Sequence, residues 1–504
     1  MKTGQVILVG AGPGDPGLLT IKGRHAIETA EVVVYDRLVS WEILDLIPEQ
    51  AERINVGKEA AHHMVPQEQI NRILLEKALS GKRVVRLKGG DPFLFGRGGE
   101  ELELLARHGV PFQEIPGITS AIAAPAYGGI PVTHRDFCSS VHIITGHRRA
   151  GQELEIPFEA LVNTGGTLVF LMGVGALEQI CTGLIRAGMA PDMPAAVVER
   201  GTTPAQRTMV STISDLPRQA RERLVGSPAV IVVGAVCALS EAFNWFDRLP
   251  LKGRPVIVTR PKDRAGTLCR RLRELGADVT EFPCIETAAA ENSTQMEQAV
   301  EKIDEYEWLV FTSPAGVTTL MQMLRRTGRD VRALGRIRIA AIGPGTDREL
   351  GKYGLRADLI PPVYDGVHLG QALCREEPAG RVLILRAQMG TDALTQELRR
   401  CKIPYDDVRC YETRYPAAGS AEISEMLQSE PAPLVTFTSA STVTGFVKAL
   451  GERDYSGVTA VCIGKQTEQE ANKYAMHTVT AAEATIDALI QRIMECQGRN
   501  VQWI

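Results

Sequence analysis

The stretch VILVGAGPGDPGLLT, residues 6–20, decides how the first part of this chain folds. Four apolar residues end abruptly in a loop rich in glycine and proline, and an amphipathic run follows to about residue 30. This order predicts a buried strand, a tight turn and a helix, the opening elements of a parallel α/β sheet. A second apolar run, residues 32–35, ends at Asp36, where we expect a second parallel strand to finish.

The same loop carries a GxGxxG spacing over residues 12–17, and Asp36 lies near the distance expected of a ribose-binding acid. That fingerprint works because backbone N–H groups face a pyrophosphate. Two prolines in the loop carry no N–H group, and Asp15 adds a negative charge where a phosphate would sit. The loop therefore favours a small ligand without phosphates, and an NAD-dependent dehydrogenase is the alternative interpretation.

The composition of the 504 residues excludes several classes of protein. A net charge of −4 gives no general attraction for nucleic acid. The longest apolar run, residues 229–239, is too short to cross a bilayer, and no leader segment opens the chain. The 10 cysteines form no C-x-x-C pair, and His62 and His63 are not a metal motif, so we expect buried thiols and no metal. These features predict a cytoplasmic protein without membrane or nucleic-acid partners.

Apolar runs predict further strands in the first half, each followed by a turn or a helix. They are residues 82–87, 141–145, 167–172, 195–199 and 229–233. The glycine pair Gly89 and Gly90 follows the first of these strands, at the edge where open α/β sheets bind ligands. A junction near residues 109–116 divides the strands into two lobes with a cleft between them.

Other motifs follow the first loop in a fixed order. They are YDRLVS at 35–40, VGK at 56–58, RLKGGDPF at 86–93 and PGITS at 116–120. With the GAGPGDPG loop at 10–17 they resemble the tetrapyrrole methylases, which use S-adenosyl-L-methionine, and among them uroporphyrinogen-III C-methyltransferase. The resemblance covers residues 1–247 and implies the two-lobed fold of that family, with lobes at 1–115 and 116–247.

The methylase resemblance also implies roles for individual residues. Cofactor contacts fall on Pro13, Gly89, Gly90, Asp91, Leu94, Thr119, Ser120, Met172 and Gly201. Proton transfer falls on Asp36 and Lys58, a carboxylate and an amine suited to general acid–base work. The implied substrate is rich in carboxylates, which the planar guanidinium binds bidentately, and Arg97, Glu100 and Arg135 complete the catalytic set.

Plainer roles for these residues stay open. Asp36 can cap a turn, Lys58 can be a solvated surface charge, and Arg97 with Glu100 can serve the electrostatics of a helix start. The family often has a basic residue after the matching lysine, whereas this chain has Glu59, which affects the expected substrate contacts only.

The second half repeats itself after a linker at residues 247–255. VIVTR at 256–260 matches VLILR at 382–386, and LVFTS at 309–313 matches VTFTS at 435–439. A third pair, AIGPGT at 341–346 and CIGKQT at 462–467, follows in the same order. Copies of this length predict two similar globular α/β domains.

Residues 252–504 resemble uroporphyrinogen-III synthase, carried by VTRP at 258–261, FTSP at 311–314, AIGPGT at 341–346, YET at 411–413 and FTS at 437–439. That resemblance implies one domain at 252–285 and 413–504, interrupted by another at 286–412, and closure of linear hydroxymethylbilane without a cofactor. It implies that Tyr411 assists the departure of the hydroxyl group. The alternative is a tyrosine packed at a strand edge with its hydroxyl in water. Substrate contacts are expected at Arg260, Ser313, Thr346, Ser439 and Thr467. The hydroxyls of the four serine and threonine residues otherwise cap helices. Lys465 stands where the family has proline, so contacts around Thr467 are less defined.

The two resemblances together predict a bifunctional enzyme. The C-terminal half would make uroporphyrinogen III, and the N-terminal half would methylate it twice to precorrin-2, toward sirohaem or cobalamin. The fusion supports this order because one half's product is the other half's substrate. Alternatives are a methylase of a later precorrin, with the C-terminal half a ligand-binding sensor, and the dehydrogenase. A homodimer through the methylase half is compatible with this interpretation.

Overall fold

The structure is a computed structural model that describes residues 3–57, 65–146, 156–289, 293–388, 392–416 and 419–496. The chain divides into two compact units. The first consists of residues 1–254 with 272–278, and the second of residues 255–271 with 279–500. Lys58, Glu59, His62 and His63 lie outside the described residues.

The elements before residue 250 are as follows. The strands are β1 Gln5–Gly10, β2 Val32–Tyr35, β3 Glu52–Asn55, β4 Arg83–Lys88, β5 Phe112–Ile115, β6 Val141–Thr145, β7 Thr167–Leu171, β8 Pro194–Glu199, β9 Arg207–Thr212 and β10 Ala229–Val233. The helices are α1 Ile21–Glu28, α2 Trp41–Leu44, α3 Gln67–Leu79, α4 Gly98–Arg107, α5 Ser120–Tyr127, α6 Phe158–Asn163, α7 Leu177–Arg186, α8 Leu216–Glu222 and α9 Ser240–Phe243.

The first sheet is wholly parallel, in the order β3-β2-β4-β1-β5. The predicted parallel strands at the start of the chain are confirmed, and β4 lies between them. Buried apolar side chains on both faces of β1 belong to two separate core clusters, one containing Val9 and the other containing Leu8. Burial on both faces explains why these strands are continuous apolar runs.

The second sheet is mixed, in the order β6-β7-β10-β8-β9. β6 and β7 are parallel, β10 is antiparallel to both β7 and β8, and β9 is antiparallel to β8. The four strands predicted here are confirmed. The sequence analysis missed β9, an edge strand whose residues include one arginine, two threonines and one serine, because polar side chains outnumber the apolar ones that reveal a strand.

The elements after residue 250 are as follows. The strands are β11 Pro255–Val258, β12 Asp278–Glu281, β13 Glu286–Ala289, β14 Tyr306–Phe311, β15 Arg338–Ala341, β16 Arg381–Ala387, β17 Tyr405–Arg414, β18 Leu434–Phe437, β19 Thr459–Cys462 and β20 His477–Thr480. The helices are α10 Lys262–Glu274, α11 Ser293–Glu301, α12 Pro314–Arg326, α13 Pro344–Gly351, α14 Gly366–Arg375, α15 Ala393–Arg400, α16 Ser420–Met426, α17 Ala440–Leu450, α18 Lys465–Asn472 and α19 Ile486–Glu495.

Two more five-stranded sheets contain these strands, in the orders β12-β11-β18-β19-β20 and β13-β17-β16-β14-β15. The strands paired by the sequence repeat occupy equivalent places, with β11, β18 and β19 in one sheet corresponding to β16, β14 and β15 in the other. An isolated parallel bridge between Ala340 and Leu359 stands where β20 stands in the other sheet. The repeat in sequence is therefore also a repeat in topology.

The cysteines differ from the expectation of thiols alone. Cys374 in α14 and Cys401 after α15 form a disulfide, with Cα atoms 6.1 Å apart. Six other cysteines are buried, as expected. The prediction is wrong for the one pair because tertiary packing of α14 on α15 brings together residues that no sequence motif connects.

In the part of the chain that the structure describes, no helix combines the length and apolar character that crossing a bilayer requires. Those residues also contain no group of three or more His, Cys, Asp or Glu side chains that could hold a metal ion.

Candidate functional site

Most of the predicted cofactor residues follow strands of the parallel first sheet. Because β1, β2, β4 and β5 run in the same direction, the residues after them meet at one edge, where α/β sheets bind ligands. The residues at this edge are Gly10 at the end of β1 and Gly12 after it, Asp36 after β2, Gly89, Gly90 and Asp91 after β4, and Gly117, Thr119 and Ser120 after β5.

Four glycines bring these loops into close backbone contact. A side chain at Gly10 would strike the backbone of Gly117, and one at Gly117 would strike Gly90. Gly12 and Gly90 exchange backbone hydrogen bonds of 3.2 and 2.7 Å. Gly90 has a φ of +68°, and its open side has no atom within 4 Å of where a Cβ would stand. The result is a backbone-lined cradle, defined here as Gly10, Gly12, Gly90 and Gly117, with space beside Gly90.

Asp91 holds two loops of this edge together through its carboxylate. Oδ2 accepts a hydrogen bond of 3.0 Å from the backbone N–H of Gly117, and Oδ1 accepts bonds of 2.9 and 3.0 Å from Phe93 and Leu94. The residue predicted as a cofactor contact is thus also the residue that fixes the shape of the cradle.

Asp15 directs its carboxylate into its own loop, which corrects the expectation that its charge faces a ligand. Oδ1 accepts the Gly17 N–H at 2.7 Å, and Oδ2 accepts the Tyr127 hydroxyl at 2.6 Å. The Asp15 N–H donates in turn to Thr202 Oγ1 at 3.2 Å. Burial, followed by the hydrogen bond to Asp15, raises the pKa of Tyr127 above its ordinary value. The loop is therefore fixed by α5 and by the residues after β8.

Other predicted cofactor residues come from the second sheet and from α5. Thr119 caps α5 by accepting the Ala121 N–H at 3.2 Å, and Ser120 is the first residue of that helix. Met172 follows β7 with a φ of +55°, and half of its surface is exposed. A side chain at Gly14 would strike Thr203 and approach Gly201, so the Pro13 loop and the Gly201 loop are adjacent.

Asp36 belongs to a buried group of charges that the sequence analysis missed. Arg86 and Lys88 lie in β4, Glu101 lies in α4, and we call these three residues with Asp36 the charge array. Arg86 Nη2 lies 2.7 Å from Asp36 Oδ1, and Lys88 Nζ lies 2.8 Å from Glu101 Oε1. The sequence contains one indication of this group: Arg86 and Lys88 stand two residues apart within the apolar run of β4, which places both side chains on one face of the sheet.

The predicted carboxylate-binding arginines are exposed. Arg97 binds Glu100 through two hydrogen bonds of 2.9 and 2.6 Å, and the bond to Glu100 raises the pKa of Arg97. Arg97 lies immediately before α4 with a φ of +60°, and the negative charge of Glu100 suits the first turn of that helix. Arg135 is exposed in the loop after α5, beside His134. The structure leaves both the substrate role and the helix-start role open for Arg97 and Glu100.

In the second unit, Tyr411 and Ser313 form a hydroxyl pair. Tyr411 is 8% exposed in β17, and its Oη lies 2.7 Å from Oγ of Ser313. Ser313 also caps α12 by accepting the Gly316 N–H at 3.3 Å. Tyr411 is therefore packed in the core, yet its hydroxyl is held at a helix start rather than released to water.

The other predicted synthase residues divide by exposure. Ser439 caps α17 in a capping box with Thr442, in the place where Ser313 caps α12, and Arg260 follows β11. Thr346 and Thr467 are only 2% and 3% exposed, in the first turns of α13 and α18. The structure brings Ser313 and Tyr411 together and holds Ser439 and Thr467 on the other sheet.

Two families match this chain over separate parts. Residues 5–217 match the Tetrapyrrole (Corrin/Porphyrin) Methylases, and residues 266–491 match Uroporphyrinogen-III synthase HemD.

Similar proteins match between about half and nearly all of the chain. The porphyrin biosynthesis protein HemD of Ruminiclostridium josui is 48% identical over 502 residues, which cover 99% of this chain and 100% of that protein. A uroporphyrinogen-III C-methyltransferase of Bacillus subtilis is 41% identical, covering 72% of this chain and 74% of that protein. The solved uroporphyrin-III C-methyl transferase of Thermus thermophilus with S-adenyl homocysteine is 41% identical, covers 47% of this chain and 100% of that one, and has a TM-score of 0.41.

The two halves thus define a two-part tetrapyrrole enzyme, as the sequence predicts. The full-length match extends this assignment to the whole chain. The chain belongs to the family of porphyrin-biosynthesis proteins that join a tetrapyrrole methylase to a uroporphyrinogen-III synthase.

Proposed function

We propose that the N-terminal half transfers two methyl groups from S-adenosyl-L-methionine to uroporphyrinogen III, giving precorrin-2. The C-terminal half supplies that substrate by cyclising hydroxymethylbilane with inversion of the last ring. The observation that carries the proposal is the pairing of the two families in one chain with full-length similarity to a porphyrin-biosynthesis protein. The product of one half is the substrate of the other.

The cradle fits a sulfonium nucleoside better than a dinucleotide. Gly12 and Gly90 use backbone N–H groups on each other, and the Gly17 N–H is used by Asp15. These groups are not directed at a pyrophosphate, which the dinucleotide fingerprint requires. The open side of Gly90 and the half-exposed Met172 offer backbone and apolar surface instead. When bound, S-adenosyl-L-methionine supplies an electrophilic methyl group.

The chain's own residues then orient the reactants and move a proton. The cradle with Pro13, Asp91, Thr119 and Gly201 would hold the methyl donor, and exclusion of water and alignment account for much of the rate. A macrocycle that has gained a methyl group carries an extra positive charge. The methylated ring carbon bears no hydrogen, so the proton leaves from another atom of the macrocycle and its bonding electrons neutralise the charge. Asp36 is 31% exposed and is the group that accepts this proton.

The synthase half needs a proton donor for the hydroxyl group that leaves the bilane. Tyr411 can donate a proton to that hydroxyl as the C–O bond breaks, and Ser313 holds the phenol in place. Because Tyr411 is buried, the site must open locally before the bilane can reach the phenol. Ser439 and Arg260 provide groups that bind the carboxylates of the bilane.

We propose domain limits at residues 1–115, 116–247, 252–285 with 413–504, and 286–412. The strand composition of the four sheets supports these limits, because each sheet draws its strands from one of these segments, except that β17 continues two residues past the limit at 412. The cytoplasmic location and the homodimer through the methylase half stay predictions, and sedimentation of the purified chain tests the homodimer.

The decisive experiment supplies the purified full chain with hydroxymethylbilane, with and without S-adenosyl-L-methionine. We expect the type III macrocycle without the donor, and a mass gain of two methyl groups with it. D36N should stop methylation and leave cyclisation intact. Y411F should slow cyclisation and still methylate uroporphyrinogen III that is supplied directly. Unchanged macrocycle mass in the wild type would contradict the methylase assignment, and reduction of NAD would support the dehydrogenase alternative.

A further inference from the structure

Two residues of the charge array, Lys88 and Glu101, lie on the buried side of Arg86 and have no role assigned so far. We propose that Lys88 and Glu101 are positioning residues of the methylation site, which act through Arg86 to keep Asp36 charged and correctly oriented. This inference rests on the proposed function, because it concerns the proton that Asp36 accepts from the methylated macrocycle.

The array is built into the centre of the first sheet. β4 lies between β1 and β2, and Arg86 and Lys88 are two residues apart, so their side chains leave the same face of the sheet. Glu101 approaches that face from the first turn of α4. Side-chain exposure is 2% for Arg86, 5% for Lys88 and 0% for Glu101, against 31% for Asp36. Asp36 is therefore the member of the array that a ligand can reach.

Each nitrogen of the Arg86 guanidinium has a fixed partner. Nη2 donates to Asp36 Oδ1 at 2.7 Å, and Nε donates to Glu101 Oε1 at 3.2 Å. Nη1 donates to the backbone carbonyls of Leu87 and Val34 at 3.2 and 3.4 Å. The guanidinium cannot turn away from Asp36 without breaking bonds on its other two sides. The orientation of Asp36 is therefore set from the interior of the sheet.

The array is balanced in charge, with two cations and two carboxylates. The charged groups that act on Lys88 are Arg86, Glu101 and Asp36, and Gln67 of α3 donates to Glu101 at 3.1 Å without adding charge. Burial, and then the charge of Arg86, lowers the pKa of Lys88, while Glu101 and Asp36 oppose that change. Lys88 balances Glu101, which leaves the charge of Arg86 available to Asp36.

This balance predicts opposite effects for two substitutions. In K88M, Arg86 is the only cation of the array left to pair with Glu101, so it stabilises the Asp36 carboxylate less. The acidic limb of the pH profile of kcat/KM for methylation should then move to higher pH. In E101Q both cations face Asp36, and the limb should move downward. The double variant K88M/E101Q restores the balance and should return the limb toward the wild-type position.

The test measures methylation of uroporphyrinogen III by the full chain across pH for these three variants. Binding of S-adenosylhomocysteine, measured by calorimetry, should stay unchanged in all of them. The matched control is E52Q/K77M, which removes an exposed ion pair of 2.6 Å elsewhere in the same unit and should leave the profile unchanged.

The outcomes separate this inference from the proposed function. A wild-type chain that does not methylate uroporphyrinogen III overturns the proposed function. A wild type that methylates, with equal losses at every pH in K88M and E101Q, gives the array a merely structural role and overturns the inference. If one single variant does not fold, the other decides, because the inference fixes the direction in which its pH profile moves. An unmoved profile in that variant overturns the inference.

Discussion

The Tyr411 hydroxyl lies 2.7 Å from Oγ of Ser313, which joins the end region of β17 to the first turn of α12. The sequence presents these residues as two separate motifs almost a hundred positions apart. The structure makes them one hydroxyl pair in which the serine can donate to the phenol or accept from it. If Tyr411 protonates the leaving hydroxyl, removing either hydroxyl of this pair should therefore slow ring closure.

Removing the two hydroxyls should affect cyclisation unequally. Y411F should lower the rate of ring closure by about 100-fold, because it removes the proton donor. S313A should lower it by about 10-fold, because it removes one orienting hydrogen bond. Y405F, in the same strand but bonded to exposed Arg399, should cyclise like the wild type. The measurement is isomer-resolved chromatography of the product, and full activity of Y411F would remove the tyrosine from the mechanism.

The closest approach of the cradle should not tolerate a side chain. In G117A the new Cβ would strike the backbone of Gly90 and Gly10, which cannot move without separating β1 from β4. We expect the substitution to destabilise the N-terminal half by roughly 1–3 kcal/mol or more and to abolish S-adenosylhomocysteine binding. G99A is the matched control, since a Cβ there meets nothing within 4 Å. Thermal unfolding and calorimetry measure both effects, and tight binding by G117A would contradict the cradle.

Asp91 should matter through the backbone groups that it holds. D91A leaves the N–H groups of Phe93, Leu94 and Gly117 without their acceptor, at a cost of about 1 kcal/mol for each partly exposed bond. D91N keeps one acceptor oxygen and should lose less than D91A in both stability and S-adenosylhomocysteine affinity. Equal behaviour of the two variants would mean that the negative charge, and not the hydrogen bonding, is what this position requires.

The link between Tyr127 and Asp15 should appear at high pH. Burial and the bond to Asp15 raise the pKa of Tyr127, so the folded protein favours the neutral phenol. The stability from this bond is therefore fully present below the unfolded pKa of about 10 and is lost as pH rises through the folded value. Tyrosinate absorbance of wild type and Y127F should coincide until well above pH ~10. A difference that develops at or below that pH would place Tyr127 in water.

Y127F should also loosen the first loop at neutral pH. The Asp15 carboxylate would keep the Gly17 N–H as donor and lose the phenol, so the loop would keep its turn and lose its anchor to α5. We expect weaker S-adenosylhomocysteine binding by a few fold, in line with one hydrogen bond. Unchanged affinity would show that the residues after β8 hold the loop without α5.

The sequence by itself determined the central strands of the first two sheets, because strands buried on both faces consist mainly of apolar residues and stand out between polar turns. It also determined the internal repeat and the two families, since these depend on residues close together in the chain. The strands that it missed in the first half, β3, β5 and β9, are the physical exceptions, because each is an edge strand with too many polar residues to show that pattern, and β5 lies within the stretch predicted as a junction.

Only the tertiary structure decided which charges and hydroxyls meet. Arg86 and Glu101, Asp15 and Tyr127, Ser313 and Tyr411, and the disulfide of Cys374 with Cys401 each join separate elements. Their partners are chosen by strand order and helix packing, and strand order follows from the whole core rather than from local preference. The chain's local pattern fixes where each element begins and ends, and the packing of those elements fixes what each polar side chain touches.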